Sequence, residues 1–195
     1  LNFLKKNYIV ELSEDPEYLF YTESNYEHLK YDCLKIFYTG ENLHPNFNLC
    51  DYAIGFDYMN FGDRYYRFPV YLIATFYRDT ELKQLGSRNF SDQILFTKDD
   101  LSQKKEFCSF VYSNYLADST RGDFFNLLSS YKKVNSGGAH LNNIGGRTEN
   151  KLDFESKHKF SIAFENSSQE GYTTEKLPTS LMANTIPIYW GNPLI

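Results

Sequence analysis

No apolar run in this 195-residue chain approaches the roughly twenty residues that a membrane-spanning helix needs. No secretory leader is visible at its start, which is Leu1, so a targeting segment upstream stays an open expectation. Cysteine is scarce. Cys33, Cys50 and Cys108 form an odd, widely spaced set with no C-x-x-C pair and no Cys/His cluster of zinc spacing. They read as reduced core thiols, which favours a cytoplasmic setting. Net charge is −5, so the basic footprint of a general nucleic-acid binder is missing. The chain has no G-x-x-x-x-G-K-[ST], no G-x-G-x-x-G and no H-E-x-x-H, which excludes the Walker-type phosphate loop, the dinucleotide fingerprint and the commonest zinc-hydrolase site. No Asp-x-Asp occurs either, removing the usual metal clamp for a sugar-nucleotide diphosphate.

Aromatic side chains are plentiful, with 17 Tyr, 17 Phe and one Trp. They supply core and half-buried strand surface. The first residues read as helix-like, followed by a strand at "YLFYT". "LKIFYTG" and "DYAIGFD" predict two more strands, and "YLIATFY" a strand or a buried helix. Residues 80–105 are polar and irregular, a linker or long loop. Beyond them "EFCSFVYS" is a strand. "DSTRGDFFNLLSSYKK" is an amphipathic helix, with Asp118 or Ser119 as N-cap and Phe124, Leu127, Leu128 and Tyr131 on one face. "VNSGGAHLNNIGG" reads as a glycine-rich loop, "KLDFESKHK" as a short helix and "FSIAFEN" as a strand. A helix follows with Pro178 in its first turn, then a last strand at "TIPIYWG". Alternating strands and helices predict a parallel sheet. Such a sheet normally continues with covering helices, so the chain reads as incomplete at its end.

Two polar clusters follow predicted strands, where open α/β sheets bind ligands. In "FYTGENLHPNFN", Glu41 sits just past Gly40. It reads either as a turn-capping surface residue or as a general base. The loop "FENSSQEGYTTEK", Phe164 to Lys176, joins a strand to a helix. It reads either as a solvated, helix-capping loop or as a holder of an anion. Arg121 and Lys176 would give two cations for a diphosphate without a metal. On spacing alone, Arg121 reads better as a solvated or ion-paired helix residue.

The segment "FSIAFENSSQEGYTTEKLPTSLMANTIPIYWGNP" closely resembles the donor-binding signature of the α-1,3-fucosyltransferases, glycosyltransferase family 10: F-x-x-x-F-E-N-S, a short gap, G-Y-x-T-E-K, then a helix and a strand ending P-x-Y-W-G. "IFYTGENLHPNFNLCDYAIGFD" with "DRYYRFPVY", and "FCSFVYSNYLADSTRGDFFNLL", are similar to two earlier blocks of the bacterial members, in family order. Thr173 departs from the pattern, standing where a small aliphatic residue is common. The resemblance implies an α/β fold of the GT-B type: two Rossmann-like domains with parallel sheets and an active site in the cleft between them. Residues 1–100 would be the acceptor-side domain and 101–195 the GDP-fucose-binding domain, both incomplete relative to the family.

The implied reaction is inverting transfer of L-fucose from GDP-fucose to the 3-hydroxyl of GlcNAc in N-acetyllactosamine-type glycans, such as Lewis-antigen-like surface polysaccharide of the lipopolysaccharide kind. By the same resemblance Glu41 is the catalytic base. Arg121 and Lys176 contact the diphosphate, Glu175 lies near the fucose, and Asn166 and Tyr172 line the donor pocket. Glu165 belongs to the same motif but ranks below these residues for direct contact with the donor. No cofactor or metal is required, although divalent ions could stimulate. The expected partners are GDP-fucose and a GlcNAc-containing acceptor, with no nucleic acid. The expected location is cytoplasmic, at most peripheral to the inner membrane through segments not in this sequence. A catalytically silent sugar-nucleotide-binding module is the alternative.

Overall fold

Short aromatic and β-branched runs, each ended by a polar turn, build two four-stranded sheets in which every strand pair is parallel. The computed structural model describes residues 4–22, 25–72 and 98–195. The chain forms two compact units, Leu1–Gly55 with Met59–Phe68, and Phe56–Tyr58 with Pro69–Ile195. Most of "YLIATFY" and of the polar stretch after it lies outside the described residues. Among the described residues no helix is long and apolar enough to cross a membrane.

The first unit carries β1 (Tyr18–Tyr21), β2 (Leu34–Tyr38), β3 (Tyr52–Gly55) and β4 (Tyr65–Arg67), in that spatial order. The helix-like start is a single 3-10 turn, Leu4–Lys6. β4 was not anticipated: three residues, "YYR", leave no room for an alternating pattern. Strand alternation divides the sheet. Phe37, Ala53 and Tyr65 are buried with Cys50, whereas Tyr18, Phe20, Leu34, Tyr52 and Tyr66 point the other way and stay exposed. Arg64 ties the loop beneath β3. Its guanidinium donates to the carbonyls of Asp51, Phe47 and Cys50 and lies over the ring of Phe47.

The second unit contains α1 (Lys98–Gln103), β5 (Glu106–Phe110), α2 (Thr120–Tyr131), β6 (Val134–Ser136), α3 (Lys151–Ser156), β7 (His158–Phe164), α4 (Lys176–Met182) and β8 (Ile186–Trp190). Its strand order is β6-β5-β7-β8. The core is Cys108, Phe110, Val134, Ile162 and Phe164 with Tyr112 and Phe125. Three expectations change here. α1 is helical within the stretch read as irregular. "VNS" is not loop but the fully buried strand β6, its polar Asn135 and Ser136 hidden from a hydrophobicity pattern. The buried face of α2 is Arg121 and Phe125, while Leu127 and Tyr131 are exposed at 71% and 80%. The helix has turned to bury a charge. Its start is capped by Asp118, whose Oδ1 accepts from the Thr120 amide and hydroxyl; the Ser119 side chain makes no capping bond. No disulfide joins the three cysteines. Burial pushes the Cys108 thiol up to about 12, which makes it an inert core group.

His158 opens β7 and is buried. Its Nδ1 lies 2.8 Å from the Phe154 carbonyl and its Nε2 3.1 Å from Asn135 Nδ2. The carbonyl can only accept, so Nδ1 carries the proton and Nε2 accepts from the amide. Asn135 Nδ2 also donates to Glu106 at 2.9 Å. The neutral ring is therefore satisfied on both nitrogens. Burial pulls its pKa below the ordinary histidine value and Lys104 adds to this, while the Phe154 carbonyl and Glu106 oppose it. A base whose folded pKa is depressed leaves stability intact above its unfolded pKa of about 6.5 and erodes it as pH falls through the folded value. The erosion has a ceiling of about 1.4 kcal/mol per pH unit. Melting temperature should fall faster between about pH 7 and pH 5 for the parent than for His158→Gln. Parallel pH profiles would refute this role for His158.

Candidate functional site

Between β5 and β7 the strand order reverses: the chain runs from β5 outward to β6, then returns to place β7 on the other side of β5. At such a switch point the connections leave in opposite directions and open a crevice at the carboxyl ends of the strands. The β5–α2 connection and the β7–α4 loop both emerge there. They are joined directly, because the Asp118 amide donates to the Asn166 carbonyl at 3.0 Å.

Arg121 occupies this position from the first turn of α2 and is 2% exposed. Its guanidinium lies 4.0 Å from the centroid of the Tyr112 ring. Nη2 donates to the Phe164 carbonyl at 3.2 Å and to Asn166 Oδ1 at 2.8 Å. Nε and Nη1 have no hydrogen-bond partner, and no carboxylate lies within ion-pair distance among the described residues. Burial lowers its pKa, with nearby Tyr112, Glu165, Tyr172 and Glu175 pulling it back up. A guanidinium stays charged regardless. The reading of Arg121 as a solvated or ion-paired helix residue is thus corrected: it is a buried cation lacking an anion. Tyr112 fixes the platform beneath it, since its hydroxyl donates to the Ile162 carbonyl at 2.6 Å and accepts from the Phe164 amide at 2.7 Å. A cavity of about 290 Å³ adjoins Arg121, lined also by Asn114, Ser119, Gly122, Asn126 and His140. A larger one, about 470 Å³, lies at the amino ends of the strands. Its buried cation, Lys104, already donates to the Ser156 and Ala183 carbonyls, so the chemistry points to the smaller cavity.

The loop after β7 is held in two halves. Asn192 secures the first: its Oδ1 accepts from the Gly171 amide at 3.0 Å and its Nδ2 donates to Thr173 Oγ1 at 3.1 Å. That contact accounts for Thr173, which departs from the family pattern. Gly171 has φ of +81°, and a Cβ there would stand 2.6 Å from the Phe56 carbonyl oxygen. Tyr172 is buried, its ring packed edge-on against Phe56 at 5.2 Å. Glu165 secures the second half. Oε1 accepts from the Thr174 amide at 2.8 Å; Oε2 accepts from Thr174 Oγ1 at 2.6 Å and from Lys176 Nζ at 3.1 Å. Lys176 Nζ also donates to Thr174 Oγ1 at 2.8 Å and stands 3.8 Å from Glu175. Burial would raise the Glu175 carboxyl, but Lys176 and Lys151, together with nearby hydrogen bonds, outweigh it and hold the group below the usual range. Glu175 is therefore ionised near neutral pH.

The second unit thus brings Arg121, Asn166, Tyr172, Glu175 and Lys176 to one loop and its neighbouring helix. Glu41 belongs to the first unit, exposed in the turn after β2, with its amide bonded to Thr39 Oγ1 at 3.0 Å. Sequence reasoning gave no role to Tyr112, Thr174 or Asn192. Among the described residues no group of three or more His, Cys, Asp or Glu side chains is placed to hold a metal.

Residues 1–74 match the model of the alpha-(1,3)-fucosyltransferase FucT N-terminal domain, and residues 101–194 match that of the glycosyltransferase family 10 (fucosyltransferase) C-terminal region. The chain belongs to glycosyltransferase family 10. Its similarity to the alpha-(1,3)-fucosyltransferase FucT of Helicobacter pylori is 39% identity over 182 residues, 83% of this chain and 38% of the relative. A crystal structure of an alpha1,3-fucosyltransferase superposes with a TM-score of 0.84 at 32% identity, covering 99% of this chain and 63% of the other. Another, of an alpha1,3-fucosyltransferase with GDP-fucose, gives 0.76 at 34% identity, covering 91% and 56%. This family-10 chain therefore spans under two thirds of the relatives it matches. Its α/β fold with parallel sheets is that of the GT-B fucosyltransferases.

Proposed function

We propose that this family-10 chain carries the donor site and base of an α-1,3-fucosyltransferase, moving L-fucose from GDP-fucose to the 3-hydroxyl of GlcNAc with inversion. The observation that carries the reading is Arg121: a buried guanidinium with two unpartnered nitrogens, no carboxylate at ion-pair distance among the described residues, and a cavity beside it. An uncompensated buried cation is costly unless an anion completes the site, and a diphosphate supplies one. In this reading Glu41 takes the proton of the acceptor hydroxyl. The freed oxygen bonds to fucose C1 as the bond from C1 to the GDP oxygen breaks. That electron pair leaves on the β-phosphate, where Arg121 and Lys176 meet the growing charge. Ionised Glu175 steadies positive charge on the sugar ring. Because side-chain cations do this work, no divalent metal is required. The acceptor is an N-acetyllactosamine-type glycan.

The test is GDP-fucose-dependent transfer to N-acetyllactosamine in EDTA, parent beside Glu41→Gln. Loss of general-base catalysis should lower kcat on the order of 10²–10⁴-fold. An unaffected mutant would remove Glu41 from the mechanism. A parent that binds GDP-fucose but transfers nothing to a panel of acceptors would point instead to a silent binding module.

A further inference from the structure

We infer that Glu165 is the positioning residue of the donor loop, fixing the direction in which Lys176 presents its charge; the link to catalysis rests on the donor reading above. Glu165 is 0% exposed. Both its oxygens are engaged within the loop: Oε1 by the Thr174 amide, Oε2 by Thr174 Oγ1 and Lys176 Nζ. The Thr174 hydroxyl has one proton, given to Glu165, and therefore receives from Lys176 at 2.8 Å. Glu165, Thr174 and Lys176 thus form a closed triangle in which each member has one role.

An ammonium has three N–H donors. Two are committed to this triangle. The triangle leaves the third unused, and the carboxylate of Glu175, whose side chain is 40% exposed, stands 3.8 Å from Nζ. A freely rotating lysine would spread its charge over many directions. This one has its direction set from below by a carboxylate that water does not reach, and charge-assisted bonds of this kind are the strong ones. The backbone builds the same arrangement from the other side. Gly191 packs so closely that a Cβ there would fall 2.5 Å from Glu165 Cγ, and the Glu165 amide donates to the Trp190 carbonyl at 2.8 Å. The end of β8 and the end of β7 therefore grip the residue that aims Lys176.

The test uses Glu165→Gln and the near-isosteric Thr174→Val, each compared with the parent. Folding is checked by circular dichroism. The first readout is the rate at which an amine-acylating reagent modifies Lys176, measured by mass spectrometry with Lys151 and Lys159 as internal standards. Released from the triangle, Lys176 should be modified several-fold faster while the standards do not change. The second readout is transfer kinetics: kcat should fall on the order of tenfold or more, with KM for the acceptor unchanged. If Glu165→Gln does not fold, Thr174→Val decides. Parent-like modification of Lys176 in a folded variant overturns the inference. If GDP fails to protect Lys176 of the parent from modification, the donor reading fails, while the modification rates still decide the triangle.

Discussion

Arg121→Ala is expected to lower kcat/KM for GDP-fucose on the order of 10²–10³-fold while costing the fold little. The first half follows from electrostatic stabilisation of a leaving diphosphate, where one preorganised donor is worth about 3–4 kcal/mol of barrier. The second half follows from what Arg121 lacks. Among the described residues no carboxylate pairs with its buried charge, so removing it breaks none of the ion pairs there and relieves a desolvation cost. Set against that are the bonds to the Phe164 carbonyl and Asn166 and the stacking on Tyr112. A residue kept only for packing would give the reverse pattern, a large drop in melting temperature with activity tracking the folded fraction. Arg121→Lys should fall between parent and alanine, because an ammonium keeps the charge but not the planar fork. Calorimetric binding of GDP-fucose alongside the melt separates the two patterns.

Gly138→Ala should be the most disruptive glycine-to-alanine change among the described residues of the second unit. A Cβ at Gly138 would lie 1.9 Å from the Tyr112 carbonyl oxygen, 2.4 Å from its nitrogen and 2.5 Å from its carbonyl carbon. All three are backbone atoms, so no side-chain rotation relieves the contact. Tyr112 cannot retreat either. Its carbonyl accepts from the His140 amide, its hydroxyl bridges β7, and its ring supports Arg121. Overpacking usually costs about 1–3 kcal/mol, and a backbone clash this close exceeds the upper end. At about 2–4 °C per kcal/mol for a chain of this size, the melting temperature should drop by roughly 6–12 °C or more. Gly146→Ala is the control, with nothing within 4 Å of its Cβ, and should melt with the parent. A Gly138→Ala protein melting within a degree or two of the parent would refute the argument.

Much of the sheet framework was legible because the strands β1, β2, β3, β5, β7 and β8 are short aromatic or β-branched runs cut by Gly, Pro or Asn. What escaped had a common cause. Apolar periodicity reports where oil is hidden, and this unit also hides polarity. β6 is "VNS", all buried, and Asn135 meets His158 and Glu106 inside. The face of α2 was misjudged by the same logic, since its most buried member is Arg121 and two of its apolar residues face water. The loop residues named from the family signature did come together in the second unit. In the sequence Glu165 ranks below the other motif residues for donor contact, and the structure shows it fully buried within the loop. Its hold on Thr174 and Lys176 could not be read from the string of letters, because it depends on which carboxylate oxygen faces which donor.

Every strand pair among the described residues is parallel, and that has a kinetic consequence. Antiparallel strands can begin as a hairpin of near neighbours, but parallel ones must first close a crossover. In the second unit the pairing of Glu106 with His158 closes a span of 52 residues (158 − 106) before it gains a single ladder bond. Loop-closure entropy of that kind makes folding intrinsically slow. Arg121 and Asn166 sit just beyond the far end of that same ladder. The bond between them therefore depends on the same long closure, and the buried guanidinium is held by contacts far apart in the chain.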